Sequence, residues 1–196
     1  MIGRFRLWMA LGVALGGAGL VAGCGPHIIP RLFIIGDPAA PAPGVRSETG
    51  RGTIELKAVA VPDYLDSTDI LRRTGPNELT PSPTGRWGER LSLGLTDALA
   101  AALAQRLPQW GVITRPTVAP VWRIAVEIER LDIGNGVCVL SARWGLTRPE
   151  TMPNTIGEFG TFSVAALTPD DAAVAAAISG LVNQLADQIV TGFAGT

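Results

Sequence analysis

The sequence holds few residues that could carry out chemistry. It has one histidine, His27, and two cysteines, Cys24 and Cys138, in 196 residues. A cysteine nucleophile needs a base beside it, and the single histidine lies three residues from Cys24 in the N-terminal segment. So few thiols and imidazoles also exclude most zinc sites, a Cys-x-x-Cys redox motif and a disulfide framework. We therefore expect a protein that is not an enzyme and that binds no metal and no cofactor.

One acidic group has a spacing that could bind a metal ion or carry out acid–base catalysis. It consists of Asp63, Asp66 and Asp69, which are three residues apart. No second carboxylate group stands where it would complete such a site, so the pattern favours a solvated loop after a strand. The sequence also lacks a P-loop, a Gly-x-Gly-x-x-Gly fingerprint, a Gly-x-Ser-x-Gly elbow and a His-Glu-x-x-His motif. The net charge of -1 excludes a basic nucleic-acid-binding protein.

The N-terminus has the pattern of a leader that ends at a modifiable cysteine. Arg4 and Arg6 precede residues 7–23, which are uncharged and rich in Leu, Ala, Val and Gly, as in a secretory signal peptide. The segment closes on Val21-Ala22-Gly23-Cys24, which resembles the bacterial lipobox. The resemblance implies cleavage between Gly23 and Cys24, diacylglycerol on the thiol and acylation, with palmitate as the expected chain, of the new amine. Two or more long acyl chains would make membrane attachment practically permanent.

An uncleaved transmembrane helix is the alternative to this leader, because residues 7–29 are uncharged and long enough to span a bilayer. Five glycines between residues 12 and 23, followed by Pro26, argue against it. Residue 25 is glycine and not the aspartate that resembles an inner-membrane retention signal. We therefore predict a lipid anchor on the periplasmic face of the outer membrane of a Gram-negative bacterium.

The elements that support these residues follow from hydrophobic periodicity and turn signals. Alternation predicts strands at residues 32–35, 53–61, 70–73, 112–115, 121–132 and 159–167, with hairpin turns at Gly75-Pro76-Asn77 and Asn135-Gly136. The strand that returns from Asn135-Gly136 carries Cys138 on one face with the apolar side chains of Leu140, Ala142, Trp144 and Leu146. We expect a buried, inert thiol at Cys138 and a core position for Trp144.

Two amphipathic helices complete the prediction. Apolar stripes place them at residues 91–107, ended by Pro108, and from Thr168 to about residue 193, with Thr168 as N-cap. The fold class is α/β, bordering α+β: a single domain with a mixed sheet of about five to six strands packed against two helices. We divide the chain into a signal peptide at residues 1–23, a lipidated, proline-rich tether with a short first strand at 24–52, and the folded domain at 53–196.

Five short segments, in order, carry a resemblance to a known family. They are Val61-Pro-Asp-Tyr-Leu-Asp66, residues 70–73, Arg73-Thr-Gly-Pro-Asn-Glu-Leu79, Arg86-Trp-Gly-Glu89 and Leu103-Ala-Gln-Arg-Leu-Pro108. With a lipobox upstream and Ala142-Arg-Trp144 downstream, the order resembles the PqiC family of ABC-type transport auxiliary lipoproteins. The similarity covers nearly the whole chain after the leader and is densest at residues 59–108. The segment at residues 37–52, rich in Pro, Ala and Gly, departs from the family.

The resemblance implies a non-catalytic outer-membrane lipoprotein. Family members serve MCE-type intermembrane transport systems, which are associated with lipid trafficking and envelope integrity. The implied partners are the outer membrane, a periplasm-spanning MCE protein and its inner-membrane partner, with no nucleic acid. The alternative is a structural or regulatory lipoprotein such as an activator of a cell-wall synthase, and a periplasmic hydrolase is the weakest hypothesis because no nucleophile–base pair can be assembled.

Charge patterning suggests contact surfaces. Arginines concentrate in the middle of the chain (Arg72, Arg73, Arg86 and Arg90), whereas residues 149–196 contain five acids and no Lys or Arg. A head-to-tail contact between identical subunits would join these unlike surfaces and can close into a ring, with chance as the alternative explanation. Trp87 lies between Arg86 and Arg90 just ahead of the first helix, so we expect these three residues to cover a helix end or to contact a partner.

Overall fold

The computed structural model describes residues 29–37, 50–117, 119–150, 156–166 and 170–194. Its elements, in chain order, are β1 (Arg31–Phe33), β2 (Thr53–Leu56), β3 (Asp69–Gly75), β4 (Glu78–Trp87), α1 (Leu91–Arg106), β5 (Gly111–Ile113), β6 (Trp122–Gly134), β7 (Val137–Thr147), β8 (Ile156–Ala165) and α2 (Asp171–Ala194). The α/β single-domain class is confirmed. The strands divide between two mixed sheets, one of three strands and one of five, where the sequence predicted one.

The larger sheet has the strand order β5-β2-β6-β7-β8. Strand β2 runs parallel to both β5 and β6, and β6, β7 and β8 form an antiparallel meander. The predicted Asn-Gly turn joins β6 to β7, with φ of 52° at Asn135 and 75° at Gly136. Positive φ at two consecutive residues is what a two-residue hairpin turn requires, and asparagine and glycine tolerate it best.

Both helices pack on one face of this sheet. Helix α2 contacts β7, β8 and α1, and α1 contacts β5. The β7 side chains on this face are buried as predicted: Cys138, Leu140, Ala142, Trp144 and Leu146. The opposite face is polar and exposed, with an Arg143–Glu129 ion pair and a hydrogen bond between Ser141 and Thr161. The result is a two-layer body whose core lies between sheet and helices.

The smaller sheet has the order β1-β4-β3 and packs beside the end of β6. Its β3–β4 hairpin turns at the predicted Gly75-Pro76-Asn77. Strand β4 continues to Trp87, although the sequence indicated a strand only near Leu79. Pro81 and Pro83 lack backbone N–H donors and lower the strand propensity of the segment. The sequence therefore predicted a shorter strand than the structure has.

Helix α2 begins later than the sequence predicted. Thr168, the expected N-cap, lies outside the described residues, and the helix starts at Asp171. The carboxylate of Asp170 accepts a hydrogen bond from the Ala173 backbone N–H at 2.6 Å, so Asp170 caps the helix. The stretch Asp171–Gly192 is long and apolar enough to cross a membrane, but half of it is buried inside the fold. We interpret α2 as the core helix of the domain.

Candidate functional site

The residues with the clearest predicted chemistry, Gly23 and Cys24, lie outside the described part of the chain. Lipidation at Cys24 therefore stays a prediction. The structure does describe the chain a short distance beyond the expected anchor, where strand β1 begins at Arg31, seven residues after Cys24. The predicted first strand is thus confirmed, and it belongs to the folded body, because it pairs in parallel with β4.

Strand β1 is held on the domain by contacts at its C-terminal end. The carbonyl of Phe33 accepts a hydrogen bond from Gly88 N at 2.7 Å, and Gly36 N donates to Ser179 Oγ in α2 at 2.9 Å. The side chains of Phe33 and Ile35 pack against the core. Gly36 has a φ of 104°, and a Cβ there would lie 3.2 Å from Ala98 Cβ, so glycine fits this close approach to α1. These contacts fix where the N-terminal segment leaves the domain.

Trp87 is buried, so its ring is not available for a surface contact. Only 4% of the residue is exposed, and its backbone N–H donates to the carbonyl of Thr68 at 2.8 Å. Because β4 extends to this residue and β1 pairs beside it, the indole lies in the core between strands and helix. The structure therefore removes the Trp87 ring from the predicted contact surface, whereas a partner contact through Arg86 and Arg90 stays a prediction.

Arg86 pairs with Asp69, the first residue of β3, and Arg90 pairs with Asp66 in the preceding loop. The guanidinium of Arg86 lies 3.0 Å from Asp69, and that of Arg90 pairs with Asp66. Asp66 also accepts a hydrogen bond from Ser92 N at 3.0 Å, which satisfies a free N–H in the first turn of α1. Burial raises the pKa of Asp66, but the hydrogen bonds from Ser92 and Arg90 outweigh it and leave the pKa below its ordinary value. These aspartates hold the start of α1 in place.

The sequence did not predict a buried ion-pair network that lies at the start of α2. Asp171, whose side chain is 3% exposed, accepts hydrogen bonds from Arg72 Nη2 at 2.7 Å, Ser82 Oγ at 2.9 Å and Thr84 Oγ1 at 2.7 Å. A Cβ at Gly85 would lie 2.5 Å from the Asp171 carboxylate, so only glycine leaves room for it. Burial raises the pKa of Asp171, but these three hydrogen bonds outweigh it, so the pKa lies below its ordinary value. The network ties α2 to the smaller sheet.

Asp132 forms a second shared ion pair at the end of β6. Its carboxylate accepts from Arg73 Nε at 2.7 Å and from Arg130 Nη2 at 2.7 Å. Burial raises the pKa of Asp132, but the hydrogen bonds from Arg130 and Arg73 outweigh it and lower the pKa overall. All four mid-chain arginines thus pair with aspartates of the same chain. This pairing weakens the interpretation of the arginines as a surface that attracts an acidic neighbour.

A cleft of about 410 Å³ lies between the β3–β4 hairpin and the β6–β7 turn. Its polar end is formed by Arg72 and Arg73, and apolar side chains including Ile133, Val137 and Val174 line the rest. Both guanidinium groups already pair with carboxylates, Arg72 with Asp171 and Arg73 with Asp132. The positive charges at the polar end of the cleft are therefore compensated by carboxylates of the same chain.

The remaining candidates for chemistry are structural. Cys138 is fully buried as predicted, and burial raises the pKa of its thiol although Arg72 acts in the opposite direction. A thiol that stays protonated and inaccessible is a poor nucleophile. Within the described ranges, no group of three or more His, Cys, Asp or Glu side chains could hold a metal ion.

Known structures share this fold. A crystal structure of an uncharacterized protein superposes with a TM-score of 0.69 at 18% identity, covering 84% of this chain and 99% of its own. A Xanthomonas campestris protein assigned to the DUF330 family has a TM-score of 0.61 at 18% identity, covering 82% of this chain and 90% of its own. A comparison of the sequence with curated proteins finds no relative.

The family itself is shown by the sequence. The model of the ABC-type transport auxiliary lipoprotein component family matches residues 36–190, which contain every element from β2 to β8 and most of α2. The match agrees with the resemblance drawn from the segments between residues 59 and 108. The chain belongs to the family of ABC-type transport auxiliary lipoprotein components.

Proposed function

We propose that this protein is a lipid-anchored, non-catalytic component of an MCE-type intermembrane lipid transport system at the outer membrane. It would stay on the periplasmic face, dock the periplasm-spanning MCE protein and so support envelope integrity. The observation that carries the proposal is the family match over residues 36–190. The contacts of the described residues support a non-catalytic role, because the Cys138 thiol is buried and two aspartates of the candidate acidic group, Asp66 and Asp69, pair with arginines.

The anchor is the first part of the proposal to test. Intact mass and peptide mass spectrometry of the membrane fraction should show a chain that begins at an acylated Cys24. The variant Cys24→Ala should stay uncleaved or become soluble, because the thiol that receives diacylglycerol is gone. Separating inner from outer membranes by density should place the wild-type chain with the outer membrane. An unmodified Cys24 on a full-length chain would instead support the transmembrane anchor.

The transport partnership is tested by co-purification of the tagged, full-length protein from solubilised membranes. We expect an MCE-domain protein and its inner-membrane partner to be retained. Capture of a cell-wall synthase in their place would favour the regulatory alternative. The double variant Arg86→Ala, Arg90→Ala tests the remaining predicted contact residues. The control is Arg143→Ala, because Arg143 is an exposed, paired arginine on the polar face of the larger sheet.

A homo-oligomeric ring remains part of the proposal. Because the mid-chain arginines already pair with aspartates of their own chain, we expect that raising the salt concentration changes the mass of the assembly little. Light scattering of the same purified protein measures its copy number. A mass of one chain at high protein concentration would remove the ring.

A further inference from the structure

Exposed apolar side chains are concentrated at the start of the described chain. Eight large hydrophobic residues are exposed in the described ranges, and three of them lie within residues 29–34. Ile29 is 82% exposed, Leu32 is 70% exposed and Ile34 is 63% exposed. Such a concentration in one short segment indicates a surface that is covered when the protein works.

Strand geometry points two of these side chains the same way. Exposure alternates along β1 and the two residues after it, so Leu32 and Ile34 face outward while Phe33 and Ile35 are half-buried and pack against the core. Arg31 is also exposed, with its guanidinium 5.3 Å from the centroid of the Phe33 ring. An apolar face beside a long cationic side chain fits the boundary between acyl chains and phosphate headgroups, where arginine places its charge in the polar layer.

The length of chain before β1 identifies what covers this face. Seven Cα–Cα steps separate Cys24 from Arg31, and they span at most about 25 Å when fully extended. A folded domain of this size is about 40 Å across. If Cys24 is anchored by acyl chains, the tether is shorter than the domain is wide, so the side that carries β1 is held close to the bilayer.

We propose that the exposed apolar side chains of the N-terminal segment, Ile29, Leu32 and Ile34, contact the lipid bilayer directly and seat the domain on the membrane surface. This inference rests on the proposed lipid anchor at Cys24. It adds a second membrane contact, made by the folded domain itself, and fixes which side of the domain points into the periplasm. The contact fixes orientation, because β1 is held rigidly by β4, Gly88 and α2.

The test uses the full-length, acylated protein in vesicles of phosphatidylethanolamine and phosphatidylglycerol. Single cysteines replace Ile29, Leu32 or Ile34 and carry a nitroxide spin label, while Cys138 is buried and Cys24 is acylated, so neither competes for label. Collision with oxygen, which partitions into lipid, is compared with collision with a water-soluble nickel chelate. The control label replaces Phe159, which is 58% exposed on the other sheet.

We expect the oxygen-to-nickel collision ratio to be several-fold higher at positions 29, 32 and 34 than at position 159. Equal ratios at all four positions, on a chain whose mass shows acylation, would overturn the inference and leave the anchor standing. Protection from both reagents, or spin–spin broadening between copies, would mean that protein covers the face and would also overturn it. A chain without acylation would overturn both proposals. Three label sites keep the test valid if one variant folds poorly.

Discussion

Replacing Asp171 by alanine should lower the free energy of unfolding by about 3 kcal/mol. The substitution removes the carboxylate that pairs with Arg72 and that accepts the hydrogen bond of Ser82, a residue that is 2% exposed. The value lies at the lower end for a broken buried ion pair because 23% of the Arg72 side chain reaches solvent. Urea denaturation monitored by circular dichroism measures the change. A loss no larger than that caused by Asp170→Ala would contradict the role given to the network.

The neighbouring acid, Asp170, provides the control for this change. Asp170→Ala removes the same charge one residue earlier, but that side chain is exposed and only caps the helix. We expect it to cost about 1 kcal/mol. A double-mutant cycle with Arg72→Ala should show that the two residues of the pair are coupled, whereas Asp170 and Arg72 should contribute independently.

Acid should narrow the difference in unfolding free energy between the wild type and the Asp171→Ala variant. The folded-state pKa of Asp171 lies below its ordinary value of about 3.9, so the carboxylate stabilises the fold above that pH. This contribution is lost as the pH falls through the folded-state pKa. The gap between the unfolding free energies of the two proteins should therefore begin to narrow as the pH falls below about 4 and continue to narrow down to the folded-state pKa. Asp66, Asp132 and Asp187 also have lowered pKa values, so both proteins should weaken in acid.

The second large effect is expected at Trp144, where alanine should cost about 3–5 kcal/mol. The residue is 4% exposed, and its ring centroid lies 6.3 Å from that of Phe162. A Cβ at Gly160 would lie 3.1 Å from Trp144 Cη2, so glycine leaves room for the indole on the neighbouring strand. Phenylalanine at position 144 should cost less, because it keeps part of the buried volume. Thermal unfolding of the three proteins measures the series.

The structure and the sequence give different expectations for the stability of a Trp87→Ala variant. A surface contact residue would tolerate alanine, whereas a residue that is 4% exposed should cost about as much as Trp144, again about 3–5 kcal/mol. Unfolding of Trp87→Ala beside Trp144→Ala distinguishes the two interpretations. A loss near zero would restore Trp87 to the contact surface.

Local signals explain what could be predicted. The Asn135-Gly136 turn, the stripe of α1 and the alternating face of β7 depend on neighbours within a few residues, so periodicity and turn chemistry locate them. The burial of Trp87 was harder to predict from the sequence, because its charged neighbours suggested a surface position. The strand that pairs beside Trp87, β1, lies more than fifty residues earlier. Burial there depends on tertiary pairing.

The Asp171 network could not be predicted for a related reason. Two acids at the start of a helix suggest dipole interactions and capping, and Asp170 does cap the helix. Nothing near Asp171 indicates that Arg72, ninety-nine residues earlier, approaches it. Arg72 and Asp171 meet because β3 belongs to the smaller sheet, which lies against the start of α2. In the anchor region the reverse holds: Cys24 was identified from local pattern alone, while its surroundings lie outside the described residues.

Strand β1 also sets how far the domain can travel from its anchor. The strand has three residues paired with β4, and it is the first described element that a pull on an acylated Cys24 would load. If it detached, the next paired residue would be Thr53, twenty-nine steps after Cys24. The maximum reach would grow from about 25 Å to about 100 Å. The three strand pairings, together with the contacts of Phe33, Ile35 and Gly36, thus separate a domain held at the membrane from one that extends far into the periplasm.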